Sequence, residues 1–320
     1  MGAPPIPLDR LRAAHAALHG VAERTPLVPL PSLTECAGAP VALKAEYRQP
    51  MGAFKVRGAY TALHRLAPGA RARGVVTSSS GNHGQGLALA ARHFGVRCVV
   101  VMPGNTPQVK VDGVRRFGGE VVFAGAARSP EQQAEAERLA AAEGLAFIPP
   151  YDHPDVILGQ ATCGLEILED APDTALIISP VSGGGLLAGT CAAKLALGHP
   201  AEVVAVEPEG AAKLSAAMRA GAPTRLASAS SIADGLLTPA VGALTWPIIR
   251  QVVGTVVTVS EDDLGMAVRW LWREAGLRVE PSGACALAAV LTGRIRPPGP
   301  TVVIASGGNV DDRLFDRLVA

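Results

Sequence analysis

The chain of 320 residues predicts an α/β protein of two doubly wound lobes, each built on a mostly parallel sheet. Three observations carry that prediction. Short runs of branched apolar residues, such as Val75 to Ser78, Val96 to Met102 and Thr301 to Ala305, alternate with stretches of helical spacing. Those runs are apolar on consecutive positions, as strands covered on both faces must be. Glycine-rich turns follow several of them, and in such folds ligands sit outside the carboxyl ends of the strands. At 48% hydrophobic and 18% charged, the chain has ample material for a large core.

Residues 8 to 21 have helical spacing and lead into an extended segment, Thr25-Pro26-Leu27-Val28. Val41 to Ala45 reads as a strand, followed by a turn through Gln49-Pro50 and a helix from the Lys55 segment to about Leu66. A strand-loop-helix rhythm then begins. Its parts are a strand at Val75–Ser78, a helix at Asn82–Phe94, a strand at Val96–Met102 and a helix at Pro107–Phe117. A strand at Glu120–Phe123 and an alanine-rich helix at Pro130–Glu143 precede a short strand, Ala146–Ile148, stopped by Pro149-Pro150. The second block has helices at Val156–Leu168, up to Leu197, Gly210–Ala220, Asp262–Gly276 and Gly283–Leu291. Its strands are Ala175–Ser179, Glu202–Glu207, Val253–Val259 and Thr301–Ala305, and Pro223 to Asp234 is a polar loop.

Composition excludes several classes of function. A formal net charge of +1, with no basic run and no aromatic-basic interleaving, gives no footprint for nucleic acid or an anionic membrane. No apolar run reaches membrane-spanning length, and Met1 to Arg12 has no signal-peptide core. The five cysteines are scattered without a C-x-x-C pair, which fits a reducing cytoplasm better than a disulfide framework. His15 and His19, four apart on a predicted helix, are half of a metal site with no third ligand in view.

Only five of the 29 basic residues are lysines: Lys44, Lys55, Lys110, Lys194 and Lys213. Arginine cannot supply a free amine at neutral pH, so any amine chemistry has a short candidate list. Lys55 stands out in Gly52-Ala53-Phe54-Lys55-Val56-Arg57-Gly58, between an aromatic and a branched residue with small residues on both sides. Desolvation there lowers a lysine pKa and makes a nucleophile and base of it. The competing structural reading is a lysine that snorkels from a helix start. Ser182-Gly183-Gly184-Gly185 opens a helix after a strand, with backbone N–H groups free of side-chain obstruction, an arrangement suited to one terminal phosphate. Ser78-Ser79-Ser80-Gly81-Asn82-His83-Gly84 starts another helix, where hydroxyls and N–H groups can clamp a carboxylate or simply cap the helix. Ser306-Gly307-Gly308-Asn309 ends the last strand with a hydroxyl fit for a heterocyclic nitrogen. Amine, phosphate cradle, carboxylate clamp and hydroxyl together describe a pyridoxal 5'-phosphate site.

The sequence resembles the fold-type II pyridoxal-phosphate enzymes, whose architecture is that of the tryptophan synthase β chain, in their threonine/serine dehydratase and serine racemase branch. The likeness runs from Arg24-Thr25-Pro26-Leu27 to Ser306-Gly307-Gly308-Asn309-Val310. It includes Phe54-Lys55-Val56-Arg57-Gly58-Ala59, Ser79-Ser80-Gly81-Asn82-His83, Pro149-Pro150-Tyr151-Asp152, Gly159-Gln160, Ile232-Ala233-Asp234-Gly235 and Glu280-Pro281-Ser282-Gly283. The resemblance implies a large cofactor-binding domain of residues 1–74 and 151–320 and a small, mobile, substrate-clamping domain of residues 75–150. It also implies that Lys55 holds the cofactor aldehyde, Phe54 packs on its ring and Asn82 bonds its 3′ oxygen. Ser182 to Leu186 (with Gly183, Gly184 and Gly185 between) would hold its phosphate, and Ser306 its pyridine nitrogen. Ser79, Ser80, Asn82 and His83 would bind substrate.

The expected reaction is removal of the Cα proton by Lys55, loss of a β-hydroxyl and release of a 2-keto acid and ammonia. Ser80 leaves the activity open. In the branch that the sequence resembles, serine there goes with racemases and with dehydratases able to reprotonate from the opposite face, and some pure dehydratases carry alanine. Pro149-Pro150-Tyr151-Asp152 looks more like the dehydratase side. Serine racemase, a dehydratase for 3-hydroxyaspartate or another β-hydroxy amino acid, and a non-catalytic amino-acid-binding module are the alternatives. Two positions depart from the family pattern around the phosphate: Ala53 replaces a usual serine and Ser182 a usual glycine. A third departure concerns the family's divalent cation, whose site matches at Glu207 and near Ala211 but has Lys213 where an aspartate belongs. An ammonium there would replace the metal. A homodimer in the cytoplasm, acting on a small amino acid without nucleic-acid or membrane partners, completes the expectation. No appended regulatory domain is expected after the last strand.

Overall fold

The computed structural model describes residues 6–126 and 130–320, so residues 1–5 and 127–129 of the two expected domain ranges lie outside the described residues. Its strands are β1 (Leu27–Pro29), β2 (Val41–Lys44), β3 (Val75–Ser78), β4 (Cys98–Met102), β5 (Glu120–Phe123), β6 (Ala146–Phe147), β7 (Leu176–Pro180), β8 (Glu202–Pro208), β9 (Thr255–Val259) and β10 (Thr301–Ile304). They form a six-stranded sheet in the order β1-β2-β10-β7-β8-β9 and a four-stranded sheet in the order β5-β4-β3-β6. Every pairing is parallel except that of β1 with β2. The antiparallel strand lies at an edge, where Pro29 removes no ladder bond that a neighbour needs.

The large sheet is apolar on both faces, which is why its strands read as continuous apolar runs. On one face Leu176, Ile178, Val204, Val206 and Val303 pack with helices Glu261–Ala275 and Pro281–Leu291. On the other, Ile177, Val302 and Ile304 meet Cys163 and Ile167 of helix Pro154–Asp170. The small sheet repeats the arrangement, with Val75, Val100 and Met102 on one side and Val76, Val99 and Val101 on the other.

Helix Lys55–Arg65 lies between the two sheets. It is buried from Val56 to Leu63 and packs on both helix Asn82–Phe94, which follows β3, and helix Pro154–Asp170. Its apolar side chains Val56, Ala59 and Leu63 share a cluster with Val75, Leu87 and Val100 of the small-sheet unit. The close crossing depends on missing side chains: a Cβ on Gly159 would come within 2.4 Å of Arg57 O. By packing, this helix serves both sheets, although it precedes residue 75 in the chain.

Most of the expected elements are present within one to three residues of their anticipated ends. Helices Pro31–Ala37, Pro68–Arg73, Thr245–Val252 and Asp312–Val319 were not legible as helices. The third contains Pro247, and its first turn is capped by Asp152, about ninety residues away, a partner no local pattern announces.

Candidate active site

Lys55 is the first residue of its helix, and the segment before it is stitched to the carboxyl end of β10. Ala53 pairs with Gly307 in an antiparallel bridge, Phe54 N–H donates to Ser306 O at 3.1 Å, and Gly308 N–H donates to Gly52 O at 2.8 Å. The Lys55 amine donates to Pro150 O at 2.6 Å and lies 5.1 Å from the centre of the Phe54 ring. Burial lowers its pKa from 10.5 to about 8, so the neutral amine is well populated near neutrality.

Two residues along, Arg57 anchors the helix. Its guanidinium makes two bidentate pairs, to Glu46 at 2.8 and 2.8 Å and to Glu166 at 2.7 and 2.7 Å. Lys44 adds a bond to Glu166 at 2.5 Å, and all four side chains are fully buried. Two cations and two carboxylates thus cancel inside the protein. His15 joins the edge of this network, with Nε2 3.0 Å from Glu166 Oε1. Among the described residues no group of three or more His, Cys, Asp or Glu side chains is placed to hold a metal.

The glycine turn meets Lys55 through one dipeptide. Pro150 accepts from the Lys55 amine, and the next residue, Tyr151, lies so close to the turn that a Cβ on Gly183 would sit 2.4 Å from its ring. Gly184 has φ +95°, a left-handed conformation that glycine adopts without strain, and caps helix Gly185–Leu197. The peptide of Gly183 is held from outside: its carbonyl accepts from Gly242 N–H at 3.0 Å and from Thr245 Oγ1 at 2.8 Å. Asp152 in turn accepts from the N–H groups of Ala243, Leu244 and Thr245 at 2.9, 2.8 and 3.3 Å. The Ser182 hydroxyl lies 3.0 Å from Thr238 Oγ1, and Leu186 is buried in the first turn of the helix.

The start of helix Asn82–Phe94 meets the β10 loop that also holds the Lys55 segment. Ser79 Oγ accepts from Gly81 N–H at 3.3 Å and Gly84 N–H at 3.2 Å, so that hydroxyl is spent on the turn. Ser80 is half-buried at the turn. Asn82 donates to Glu280 Oε1 at 2.7 Å and accepts from Asn309 Nδ2 at 2.8 Å, which ties the helix start to the β10 loop. His83 is buried, with Nε2 3.1 Å from Ile148 O. Donation to that carbonyl leaves Nδ1 as an acceptor without a partner. Burial, aided by the Lys55 charge, drives the His83 pKa down to about 3. The imidazole is therefore neutral and offers a carboxylate no proton.

Ser306 is buried at the end of β10, beside Phe54. Glu207 and Lys213 are both fully buried behind the glycine turn, with Lys213 Nζ bonded to Val181 O, one residue before Ser182.

Sequence reasoning about individual positions missed Glu280 as a functional candidate. Its carboxyl is buried under Gly307, where a Cβ would approach to 2.3 Å, and burial raises its pKa to about 7 despite Lys110 and the Asn82 hydrogen bond. The signal was present in Glu280-Pro281-Ser282-Gly283: a glutamate before an N1 proline is an ordinary helix lead-in, and only the fold turns it inward. Lys110 was also missed; it pairs with Asp234.

Comparison with known proteins agrees with this geometry. Residues 19–307 match the family described as pyridoxal-phosphate dependent enzyme. The chain is 36% identical over 315 residues to the L-threonine ammonia-lyase of Thermotoga maritima, covering 98% of this chain and 78% of that one. Among solved structures, maize serine racemase superimposes with a TM-score of 0.94 at 34% identity, covering 98% of this chain and 97% of that one. The threonine deaminase of T.th. gives 0.90 at 40% identity, covering 96% and 99%.

Proposed function

The chain belongs to the pyridoxal-phosphate dependent enzyme family, and from that premise we propose that it is a threonine/serine dehydratase, converting a β-hydroxy amino acid to a 2-keto acid and ammonia. The residues present fit the cofactor. A buried amine with a depressed pKa, a turn stripped of side chains at Gly183 to Gly185 and a small hydroxyl at the end of β10 are its three requirements. Lys55 would hold its aldehyde carbon, Ser182 to Leu186 its phosphate, Phe54 a ring face, Asn82 the ring oxygen and Ser306 the pyridine nitrogen. Bound there, pyridoxal phosphate supplies the electron sink that allows the Cα–H bond to break heterolytically.

The chain's own residues do the rest. The Lys55 amine, whose pKa burial lowers to about 8, is neutral far more often than an ordinary lysine at physiological pH and takes the Cα proton. Ser80 and the backbone at the start of helix Asn82–Phe94 hold the substrate carboxylate, the helix dipole favouring the anion. His83 supports that turn from beneath through Ile148 O. Asp152, Thr245 and Gly242 fix the Gly183 peptide, so the phosphate turn is set before anything binds. A cytoplasmic homodimer without nucleic-acid or membrane partners completes the reading. It is supported by the net charge of +1 and by Cys98, Cys163, Cys191 and Cys285 being buried free thiols. Light scattering on the purified protein tests the dimer.

One observation carries the proposal: the pKa-depressed Lys55 amine lies on the carbonyl of Pro150, whose neighbour Tyr151 packs on the glycine turn. The test is reduction of the yellow protein with borohydride, followed by peptide mapping and a panel of β-hydroxy amino acids assayed for keto acid and ammonia. Label on the Lys55 peptide with keto-acid release is expected. A colourless protein that cannot be reconstituted would point instead to a binding module. Serine racemisation at the same site is the second reading, favoured by Ser80 and by the similarity to maize serine racemase. Ser80→Ala should abolish inversion of serine, while keto-acid release persists with a raised KM because the backbone N–H groups still hold the substrate carboxylate.

A further inference from the structure

The ammonium of Lys213 is a fully enclosed charge that the reaction does not use. It is fully buried, donates to Ala211 O at 2.6 Å and Val181 O at 3.2 Å, and lies 3.5 Å from Glu207 Oε2. An ammonium has three protons, and three oxygens converge on it. Two carbonyls and one carboxylate around a point are the hard oxygen donors that divalent cations take at about 2.0–2.6 Å. Here the point is filled by Nζ, and a doubly charged ion could not share it with a positive charge.

The surroundings are built around that point. Glu207 accepts from Leu214 N–H at 2.9 Å and Ser215 N–H at 2.8 Å, so its carboxylate is pinned at the start of helix Lys213–Ala220. Val181 donates its N–H to Val206 O at 2.9 Å and gives its carbonyl to Lys213. The residue immediately before Ser182 is therefore held on both sides, and one of the two holds is the ammonium. Burial lowers the Lys213 pKa, and the Glu207 carboxylate opposes that shift.

We propose that Lys213 is a tethered cation: a positioning residue that occupies the place of the family's divalent ion and fixes the root of the phosphate turn, so that cofactor binding needs no metal. The disagreement between the donor set and a metal site is thus itself informative. Glu207, Ala211 and Val181 supply oxygens, but the fourth contributor is a cation where an anionic ligand is needed. The inference rests on assigning the Ser182–Leu186 turn to the cofactor phosphate.

The experiment uses the holoenzyme, Lys213→Asp and Lys213→Met, each treated with chelator and then supplied with Mg²⁺ or Mn²⁺. The readouts are metal content, thermal midpoint and cofactor affinity from the visible absorbance. The wild type should carry no stoichiometric divalent ion and should change neither affinity nor midpoint with either treatment. Lys213→Asp should lose about tenfold or more in cofactor affinity under chelator and recover it with Mg²⁺ or Mn²⁺, while Lys213→Met should lose it without recovery. A purely structural lysine would give no ion-dependent rescue. The proposal is overturned if the wild type holds a stoichiometric divalent ion, or loses cofactor on chelation and regains it with Mg²⁺. It is also overturned if both variants bind cofactor as the wild type does, or if Lys213→Asp folds but shows no rescue. Should the variants not fold, the wild-type arms decide alone. A wild type that binds no cofactor under any condition refutes the assignment of the turn instead.

Discussion

At the scale of the residue, two buried titrating groups set the chemistry. Lys55 must be neutral to attack the cofactor aldehyde, and its amine titrates at about 8. The rate of reconstitution of the apoenzyme should therefore rise with pH, about tenfold per unit well below that value, and level off above it. Stopped-flow absorbance over a pH series measures this; a rate still climbing beyond pH 9 would place the amine in water. Glu280 behaves in the opposite sense to an ion-paired carboxylate, since its pKa is raised to about 7. Between pH 4.5 and about 7 the folded chain keeps a proton that the unfolded chain has released, so stability falls as pH rises through that window. The loss is up to ~3 kcal/mol. Glu280→Gln should flatten this part of the stability profile, as read by denaturant melts. Lys55 was legible because two flanking apolar residues sufficed to suggest desolvation. Glu280 was not, because its burial comes from Gly307, twenty-seven positions further on.

At the scale of the element, the Lys55 helix is held by charge as much as by apolar packing. Arg57 satisfies both Glu46 and Glu166, and removing it leaves two buried carboxylates against the single buried ammonium of Lys44. Arg57→Met should cost about 3–5 kcal/mol, read as a large fall in thermal midpoint, and should weaken cofactor binding along with it. A loss below ~1 kcal/mol would mean the network is merely tolerated. The sequence displayed Phe54-Lys55-Val56-Arg57-Gly58 in full, yet nothing in it suggested the role of Arg57. The partners of Arg57 lie 11 and 109 positions away, on a short 3₁₀ turn and on another helix.

At the scale of the whole molecule, Lys110 links the two sheet units. It sits on helix Gln108–Arg116 of the small-sheet unit and pairs with Asp234 of the large-sheet unit. Asp234 is 47% exposed, so the pair is worth no more than ~1 kcal/mol. Lys110→Met should therefore raise KM for the amino acid by no more than about fivefold, with a smaller change in kcat, because only one weak pair between the two sheet units is lost. A kcat loss of several orders of magnitude would instead place the Lys110 amine among the reacting groups.

The sequence by itself determined the strand-helix alternation, the apolar faces of both sheets and the three turns to which the proposed function assigns amine, phosphate and carboxylate chemistry. Each of those is a local property: periodicity, glycine content or the neighbours of one lysine. Only the tertiary structure decided that Pro150 and Tyr151 join Lys55 to the glycine turn, that Glu280 faces inward, that His83 is spent on Ile148, and that Lys213 fills a cage of three oxygens. Those facts depend on burial and on partners distant in sequence, and desolvation is fixed by what the whole chain packs around a group.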